Sequence, residues 1–242
     1  MNMVTLGDNP WFWVSSVFLC WFLYEKVWIP MIRYALIGQY QVLARELSAR
    51  PKKACRYTIY HEVGHILMNA AFKEPDSCIM VSASATGDKR GRLGYAVMHN
   101  VNNMPQTREL NEWLMLSLLA GYMAERKLFG EESLGSGDDL EGWSKVAKFH
   151  LESGFCDGFY YSDPANHFEF DSNQSNMRKL MDKQQDLLRR FFDMNVDVLK
   201  EVGVALEEEG VLTRGSLMGY LGRVVFPDDF PMPESAAQKS AM

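Results

Sequence analysis

The spacing of apolar residues divides the chain into a helical body and one short region of strands. Alternation over residues 78–84 and 92–99 predicts two strands, joined by a turn over residues 87–91 that is bounded by glycines. Thr213 is a predicted cap for a last short helix. Apolar positions at helical spacing predict longer helices over residues 57–72, 107–129, 138–153 and 174–209. The pattern therefore predicts an α+β fold that is mainly helical, with a small sheet beside the first of these helices.

The first fifty residues carry a different pattern. No charged residue occurs from Trp11 to Tyr24, and apolar residues resume after one charged pair until Pro30. Residues 10–29 would form about 30 Å of helix, which matches the hydrocarbon core of a bilayer. This N-terminal apolar helix is either a membrane anchor or a helix that packs on the domain or lies in the membrane interface. Basic residues follow it and none precedes it, so an anchored chain would keep its bulk in the cytoplasm.

Shifts in composition set the expected domain limits. Residues 1–50 form an N-terminal apolar segment with a linker helix, and the Arg50-Pro51-Lys52-Lys53 stretch marks the boundary. Residues 51–226 form the folded domain. Residues 227–242 lack periodicity, and we expect a mobile C-terminal tail there.

Composition excludes several classes of protein. Lys plus Arg number 25 and Asp plus Glu number 31, so the net charge of −6 argues against a broadly basic nucleic-acid binder. A hydrophobic content of 47% excludes a wholly disordered chain. The four cysteines are scattered without a CxxC pair, which disfavours a disulfide framework and a zinc site built from cysteines.

The most informative string is His61-Glu62-Val63-Gly64-His65. Histidines four residues apart face the same way on a helix, so both imidazoles can reach one zinc ion. Glu62 follows the first histidine, where its carboxylate can take a proton from a metal-activated water. Gly64 costs about 1 kcal/mol relative to alanine in a helix, which is explained if another element approaches closely there.

A third protein ligand is needed, and the spacing leaves two distal carboxylates open. A further histidine six residues after His65 is excluded, because Ala71 occupies that position. Glu125 lies on a long predicted helix, where a solvated face is the alternative explanation. Asp139 follows a glycine-rich stretch that lets backbone approach a metal, and helix N-capping is its alternative role.

Several segments form an ordered set of motifs with the HExxH helix. They are residues 58–65, which fit TxxHExGH, the strand at 91–97, residues 120–130, which resemble AGRxAEExxFG, and residues 135–140, which resemble part of TGASNDL. Over residues 53–225 this set resembles the zinc peptidase domain of FtsH-type membrane AAA proteases. Several motifs in order are more specific than HExxH alone.

The resemblance implies a role for each matching residue. His61, His65 and Asp139 become zinc ligands, Glu62 the catalytic base, and Glu125 a residue that orients a ligand from behind. A peptide substrate would add as a strand to the sheet edge, so we expect contacts with Gly94, Tyr95 and Ala96. It also implies peptide-bond hydrolysis and a tendency to form homo-oligomeric rings.

Departures from the family pattern limit what the resemblance implies. The sequence contains no GxxxxGK[ST] motif, Tyr122 replaces an arginine, and Leu134 replaces a threonine. We therefore expect a zinc endopeptidase that is independent of ATP in itself and acts on unfolded or flexible polypeptides. The alternatives are a subunit served by a separate ATPase and a non-catalytic regulatory protein tethered to a membrane. An intramembrane protease is disfavoured, because further apolar spans are lacking.

Overall fold

The described residues of the chain define a helical body with a small sheet. The computed structural model describes residues 54–87, 91–133, 136–155 and 159–233. The chain divides into two units between Lys52 and Lys53, and all the described residues belong to the second. The predicted N-terminal apolar segment, including residues 10–29, lies outside the described residues. Within the described ranges, no helix has the length and apolar character needed to cross a membrane.

The elements follow the predicted order. A short 3-10 helix, Met68–Ala71, continues the first α-helix. In chain order the α-helices of the described ranges are α1 (Arg56–Leu67), α2 (Arg108–Phe129), α3 (Gly137–Glu152), α4 (His167–Met194), α5 (Val196–Glu209) and α6 (Arg214–Leu221). The strands are β1 (Met80–Ala83), β2 (Gly94–Val97) and β3 (Val211–Thr213). The mainly helical α+β fold with a small sheet is confirmed, whereas β3 was missed because it has only three residues.

The sheet packs against α1. Its order is β2-β1-β3, and both pairs are antiparallel. Val81 and Ala83 of the central strand are buried, as expected of a strand with one face toward the core. Strand β2 therefore lies at one edge of the described sheet.

Two neighbouring helices pack closely against α1, and each close contact depends on a glycine. A Cβ atom at Gly64 would lie 2.5 Å from the carbonyl oxygen of Ala120 in α2. A Cβ atom at Gly203 in α5 would lie 2.1 Å from the ring of Tyr60. The close approach that the sequence implied at Gly64 is therefore the crossing of α1 and α2.

The limits of α2 are set by local capping. Thr107 has extended backbone, and its hydroxyl accepts a hydrogen bond from the Leu110 N–H at 3.1 Å. Gly130 ends the helix with φ of 77°, a conformation that favours glycine. Both ends agree with the predicted limits at 107 and 129.

The single long helix predicted over residues 174–209 is wrong. The structure has α4 and α5, separated at Asn195. The Asn195 side chain donates to the carbonyl oxygen of Val225 and accepts from the Val225 N–H, at 2.7 and 2.8 Å. Asn195 thus bonds to a distant segment instead of continuing the helix, an interaction that apolar spacing does not reveal.

Part of the segment predicted as a C-terminal tail packs on the helical body. Phe230 is buried, and its ring lies 5.4 Å from that of Phe191. Arg190 forms two hydrogen bonds with the carboxylate of Asp229. Residues 227–233 therefore pack on α4, and residues 234–242 lie outside the described residues.

Candidate metal centre and cleft

Helix α1 presents the two motif histidines to one point. Their Nε2 atoms are 3.1 Å apart. Asp139, in the first turn of α3, places Oδ2 3.0 Å from the Nε2 of His61 and 3.2 Å from that of His65. Asp139 is 78 residues after His61 and 74 after His65, yet the three side chains form a compact triangle of potential ligand atoms.

The other nitrogen of each imidazole is held from behind. The Nδ1 atom of His61 lies 2.8 Å from the Glu125 carboxylate, and that of His65 lies 2.7 Å from the Ser117 carbonyl oxygen. Both partners are acceptors, so each Nδ1 carries the proton and donates. Each Nε2 then presents a lone pair to the triangle, as histidine ligands of metals do.

This arrangement fits a bound cation. When the proton of each neutral imidazole is on Nδ1, the two Nε2 lone pairs and the Asp139 carboxylate converge without a proton between them. Ligands about 2.0–2.1 Å from a tetrahedral zinc ion are about 3.3 Å apart, close to the spacing of these three atoms. Two nitrogens and one carboxylate oxygen are also a donor set that zinc accepts in catalytic sites.

The electrostatics favour positive charge at the same point. Burial alone would lower the pKa of His61, but hydrogen bonds with Asp139 and Glu125 raise that pKa to about 9. Burial would raise the pKa of Asp139, but hydrogen bonds with both histidines bring it below its usual range. Carboxylates thus stabilise a cation here, whether a proton or a metal ion.

Glu125 occupies a buried position between two parts of the site. It is fully buried in α2, and it accepts hydrogen bonds from His61 and from the Ser133 hydroxyl. Burial would raise its pKa, but these bonds and that from the Ser133 backbone N–H lower it. Ser133 belongs to the segment that leads to Asp139, so Glu125 links the histidine helix to that segment.

Glu62 lies beside the metal centre under the edge of the sheet. A Cβ atom at Gly94 would lie 2.7 Å from the Cγ atom of Glu62 and 2.9 Å from its Oε1 atom. Only glycine allows β2 to approach α1 so closely. Burial raises the pKa of the Glu62 carboxyl above its ordinary value, and the nearby charges of His65 and His61 offset part of this shift.

The metal centre opens into a cleft of about 610 Å³ between β2 and the α1–α2 pair. Its walls combine the polar groups of the centre with apolar side chains. The apolar members include Leu93, Ala96, Met98, Val101, Trp113, Leu114 and Leu118. A volume of this size is usual for a ligand-binding cleft.

Comparison with known proteins agrees with this geometry. Residues 48–213 match Peptidase family M41. The chain belongs to peptidase family M41. The match covers the metal centre, the sheet and most of the helices, so the resemblance to an FtsH-type zinc peptidase domain is confirmed.

Two curated relatives of this M41 chain carry the same description. One is an "ATP-dependent zinc metalloprotease FtsH" of Rhodothermus marinus, 24% identical over 190 residues, which cover 72% of this chain and 27% of the relative. The other, with the same name, is from Methylibium petroleiphilum and is 33% identical over 118 residues, covering 46% of this chain and 19% of the relative. The match thus spans about a quarter or less of each relative's length.

Among the predicted site residues of this M41 chain, the structure separates two groups. His61, His65 and Asp139 meet at one point, and Glu125 stands behind His61. Gly94, Tyr95 and Ala96 lie along β2 and line the cleft with Glu62.

Sequence patterns did not assign three further residues to this site. Ser117 acts through its backbone carbonyl, which carries no side-chain signature. A Cβ atom at Gly121 would lie 2.6 Å from the Nε2 of His65, so glycine keeps the centre open. The glycine before Tyr122 in a helix was the available signal for such an approach. His99 also lines the cleft.

Proposed function

We propose that this chain is a zinc-dependent endopeptidase that hydrolyses peptide bonds of unfolded or flexible polypeptides. One observation carries the proposal, namely three convergent acceptor atoms beside a half-buried glutamate in an open cleft. Family M41 supports the metallopeptidase class. The residue roles below are part of the proposal.

His61, His65 and Asp139 would hold the zinc ion. Zinc, when bound, would act as a Lewis acid that polarises a carbonyl and makes water more acidic. Glu125 and the Ser117 carbonyl would keep both imidazoles in the tautomer that exposes Nε2. Asp139 would supply the negative charge that balances part of the ion's charge.

Glu62 would serve as general base and then as general acid. Its carboxylate would take a proton from the attacking water and deliver that proton to the nitrogen of the leaving amine. The raised pKa of Glu62 supports the first half of this transfer, because it makes the carboxylate a stronger base toward the attacking water. Gly94 would keep the strand close enough to shield this carboxylate from bulk water.

Strand β2 would bind the substrate backbone. It has one sheet neighbour, β1, in the described part of the sheet, and its other side borders the cleft. An extended peptide would add there through backbone hydrogen bonds. This mode needs an unfolded or flexible segment, since a folded chain keeps its backbone groups paired.

The hydrolytic step in this proposal uses no ATP. A second candidate is a protease subunit of a homo-oligomeric ring that a separate ATPase supplies with unfolded chains. Both relatives are named ATP-dependent zinc metalloproteases, which favours that candidate. We further propose that residues 10–29 place the domain on the cytoplasmic side of a membrane. The alternative to both catalytic candidates is a non-catalytic regulatory role.

The direct test compares the intact chain with Glu62→Gln. We would quantify bound zinc in both proteins and follow cleavage of a permanently unfolded polypeptide without ATP. We expect equal zinc content, and a rate for Glu62→Gln that is lower by about 100- to 10,000-fold, the usual contribution of general acid–base catalysis.

Each other outcome identifies a different alternative. Zinc in both proteins without cleavage by either would favour a separate ATPase, which would then be supplied in trans. Absence of zinc from both would contradict the enzymatic proposal and favour the regulatory one. Equal cleavage by both would contradict the role of Glu62.

A further inference from the structure

The cleft continues past the metal centre along α1. Gly94 of β2 lies beside Thr58 and Glu62, near the start of α1. At the other end, the Met98 Sδ atom lies 3.3 Å from the Asn69 side-chain nitrogen, and the Trp113 indole N–H donates to the Met68 carbonyl. This end of the cleft thus lies beyond His65.

The walls of this end are mainly apolar. We call it the distal subsite and define it by Met98, His99, Val101, Trp113 and Leu114, all of which line the cleft. Four of these five side chains are apolar. The exception is His99, whose imidazole contributes two nitrogens.

The orientation of the His99 ring is held on two sides. Its ring lies 4.0 Å from that of Phe72, at an interplanar angle of 31°. Its Nδ1 atom accepts a hydrogen bond from the Asp76 backbone N–H at 3.1 Å. The backbone N–H of His99 itself donates to the buried side chain of Asn69 at 2.7 Å.

These contacts determine the tautomer. A nitrogen that accepts from a backbone N–H carries a lone pair, so the proton of the neutral ring lies on Nε2. The Asp76 Oδ2 atom is farther from Nδ1, at 3.4 Å, and accepts a shorter hydrogen bond from the Asn100 N–H at 2.7 Å. Within the described ranges Nε2 has no hydrogen-bond partner, and this atom is not fully buried. The side chain is 16% exposed.

We propose that His99 determines specificity in the distal subsite by donating its Nε2–H to the tip of a substrate side chain. This inference rests on the proposed peptidase function. The apolar walls suit a side chain with an apolar body, and the donor suits an acceptor at its end. A carboxylate is disfavoured because Glu62 and Asp139 line the same cleft. Tyrosine fits both requirements, whereas phenylalanine leaves the donor unpaired.

The test uses paired peptides. Cleavage sites in an unfolded polypeptide would first be mapped by mass spectrometry with the intact chain. The mapped sites would show at which position relative to the cleaved bond Tyr is enriched. Two peptides that are identical except for Tyr or Phe at that position would then be compared by kcat/KM. We expect the Tyr peptide to be favoured about 2- to 12-fold, the effect of one neutral hydrogen bond.

Two substitutions separate the two nitrogens of His99. His99→Asn keeps an acceptor near the position of Nδ1 but loses the donor toward the cleft. His99→Gln places an amide N–H near the position of Nε2 but loses the acceptor for Asp76. We expect the Tyr preference to vanish in the Asn variant and to persist in the Gln variant. A purely structural role would change both peptides equally and leave their ratio constant.

The outcomes distinguish this inference from the proposed function. Cleavage of both peptides at the same rate by the intact chain would overturn the role of His99 and leave the peptidase function intact. A Tyr preference that survives in His99→Asn would also overturn it. Cleavage of neither peptide, with zinc bound, would contradict the ATP-independent activity on which this inference rests, and would overturn the inference with it.

Discussion

Glu125 shows how one buried carboxylate can stabilise a site without binding the metal. Its oxygens accept from the His61 imidazole and from Ser133, so none remains on the Nε2 side of His61. Asp139 instead stands at Nε2 of both histidines. We therefore assign Glu125 to positioning His61, and Asp139 to the zinc ion in the proposed mechanism.

Glu125→Gln should weaken zinc binding by about 10- to 100-fold, the usual cost of losing the partner of a ligating histidine. His61 and the Ser133 backbone N–H bond to different oxygens of the carboxylate, and the amide has only one oxygen to accept from them. Competition with a chromogenic chelator would measure the dissociation constant. The matched control is Glu131→Gln, because Glu131 bonds to Tyr57 and is exposed. Unchanged affinity in Glu125→Gln would contradict the positioning role.

His150 is a second buried residue, remote from the proposed mechanism. It is fully buried in α3, and both its ring nitrogens lack hydrogen-bond partners in the described part of the chain. Burial lowers its pKa, which the nearby Glu112 carboxylate, 4.0 Å away, only partly offsets. Arg108 and Lys183 act in the same direction as burial.

The lowered pKa of His150 predicts acid sensitivity. The unfolded chain binds a proton to this histidine near pH 6.5, and the folded chain does so only at lower pH. Stability should therefore fall as pH drops through about 6.5, because the unfolded state then binds more protons. Between pH 7 and 5, the thermal midpoint of His150→Leu should change less steeply with pH than that of the intact chain. His167→Gln, at an exposed histidine, should leave the slope unchanged. An unaltered slope in His150→Leu would contradict this assignment.

At the scale of elements, the crossing of α1 and α2 determines the site. His65 meets the Ser117 carbonyl, and Gly64 meets Ala120 one turn further along α2. The antiparallel pair thus brings backbone and side-chain groups of α2 against the motif helix. A wider separation would remove the support of both imidazoles.

Gly64→Ala tests this crossing. The added Cβ would lie 2.5 Å from a backbone oxygen, so the helices must separate. We expect the free energy of unfolding to fall by about 1–3 kcal/mol, the usual cost of overpacking, although alanine favours helix. Gly219→Ala in α6 is the control, because nothing lies within 4 Å of its Cβ position. That control should gain about 0.5–1 kcal/mol. Chemical denaturation would measure both, and a stabilised Gly64→Ala would contradict the crossing.

At the scale of the whole molecule, the candidate metal centre joins separate parts of the chain. His61 and His65 belong to α1, and Asp139 belongs to α3, beyond the whole length of α2. A zinc ion bound there would cross-link the two helices in the folded state. The unfolded chain does not hold these three groups together, so zinc binding should stabilise the fold.

Zinc should therefore raise the thermal midpoint of the metal-stripped chain. Free zinc at 1,000 times the dissociation constant would add about 4 kcal/mol to the free energy of unfolding. Asp139→Asn should lose most of this gain, whereas Asp138→Asn, at an exposed neighbour, should keep it. Scanning calorimetry at fixed free zinc would measure the shift. Equal gains in both variants would exclude Asp139 as a ligand.

Local interactions explain which features were predictable. The two histidines of α1 share a face because residues four apart always do so on a helix. Thr107 and Gly130 end α2 through contacts within a few residues of themselves. The mainly helical α+β fold, the motif helix and the M41 family therefore followed from the sequence.

Tertiary structure decided what depends on residues distant in sequence. The spacing left Glu125 and Asp139 as alternatives, and only the folded chain places one at Nδ1 and the other at Nε2. Asn195 interrupts a helix because it bonds to Val225, thirty residues later. The sequence by itself determined the elements and the chemical groups, since those depend on neighbours along the chain. Their distances depend on packing between elements, which local patterns do not specify.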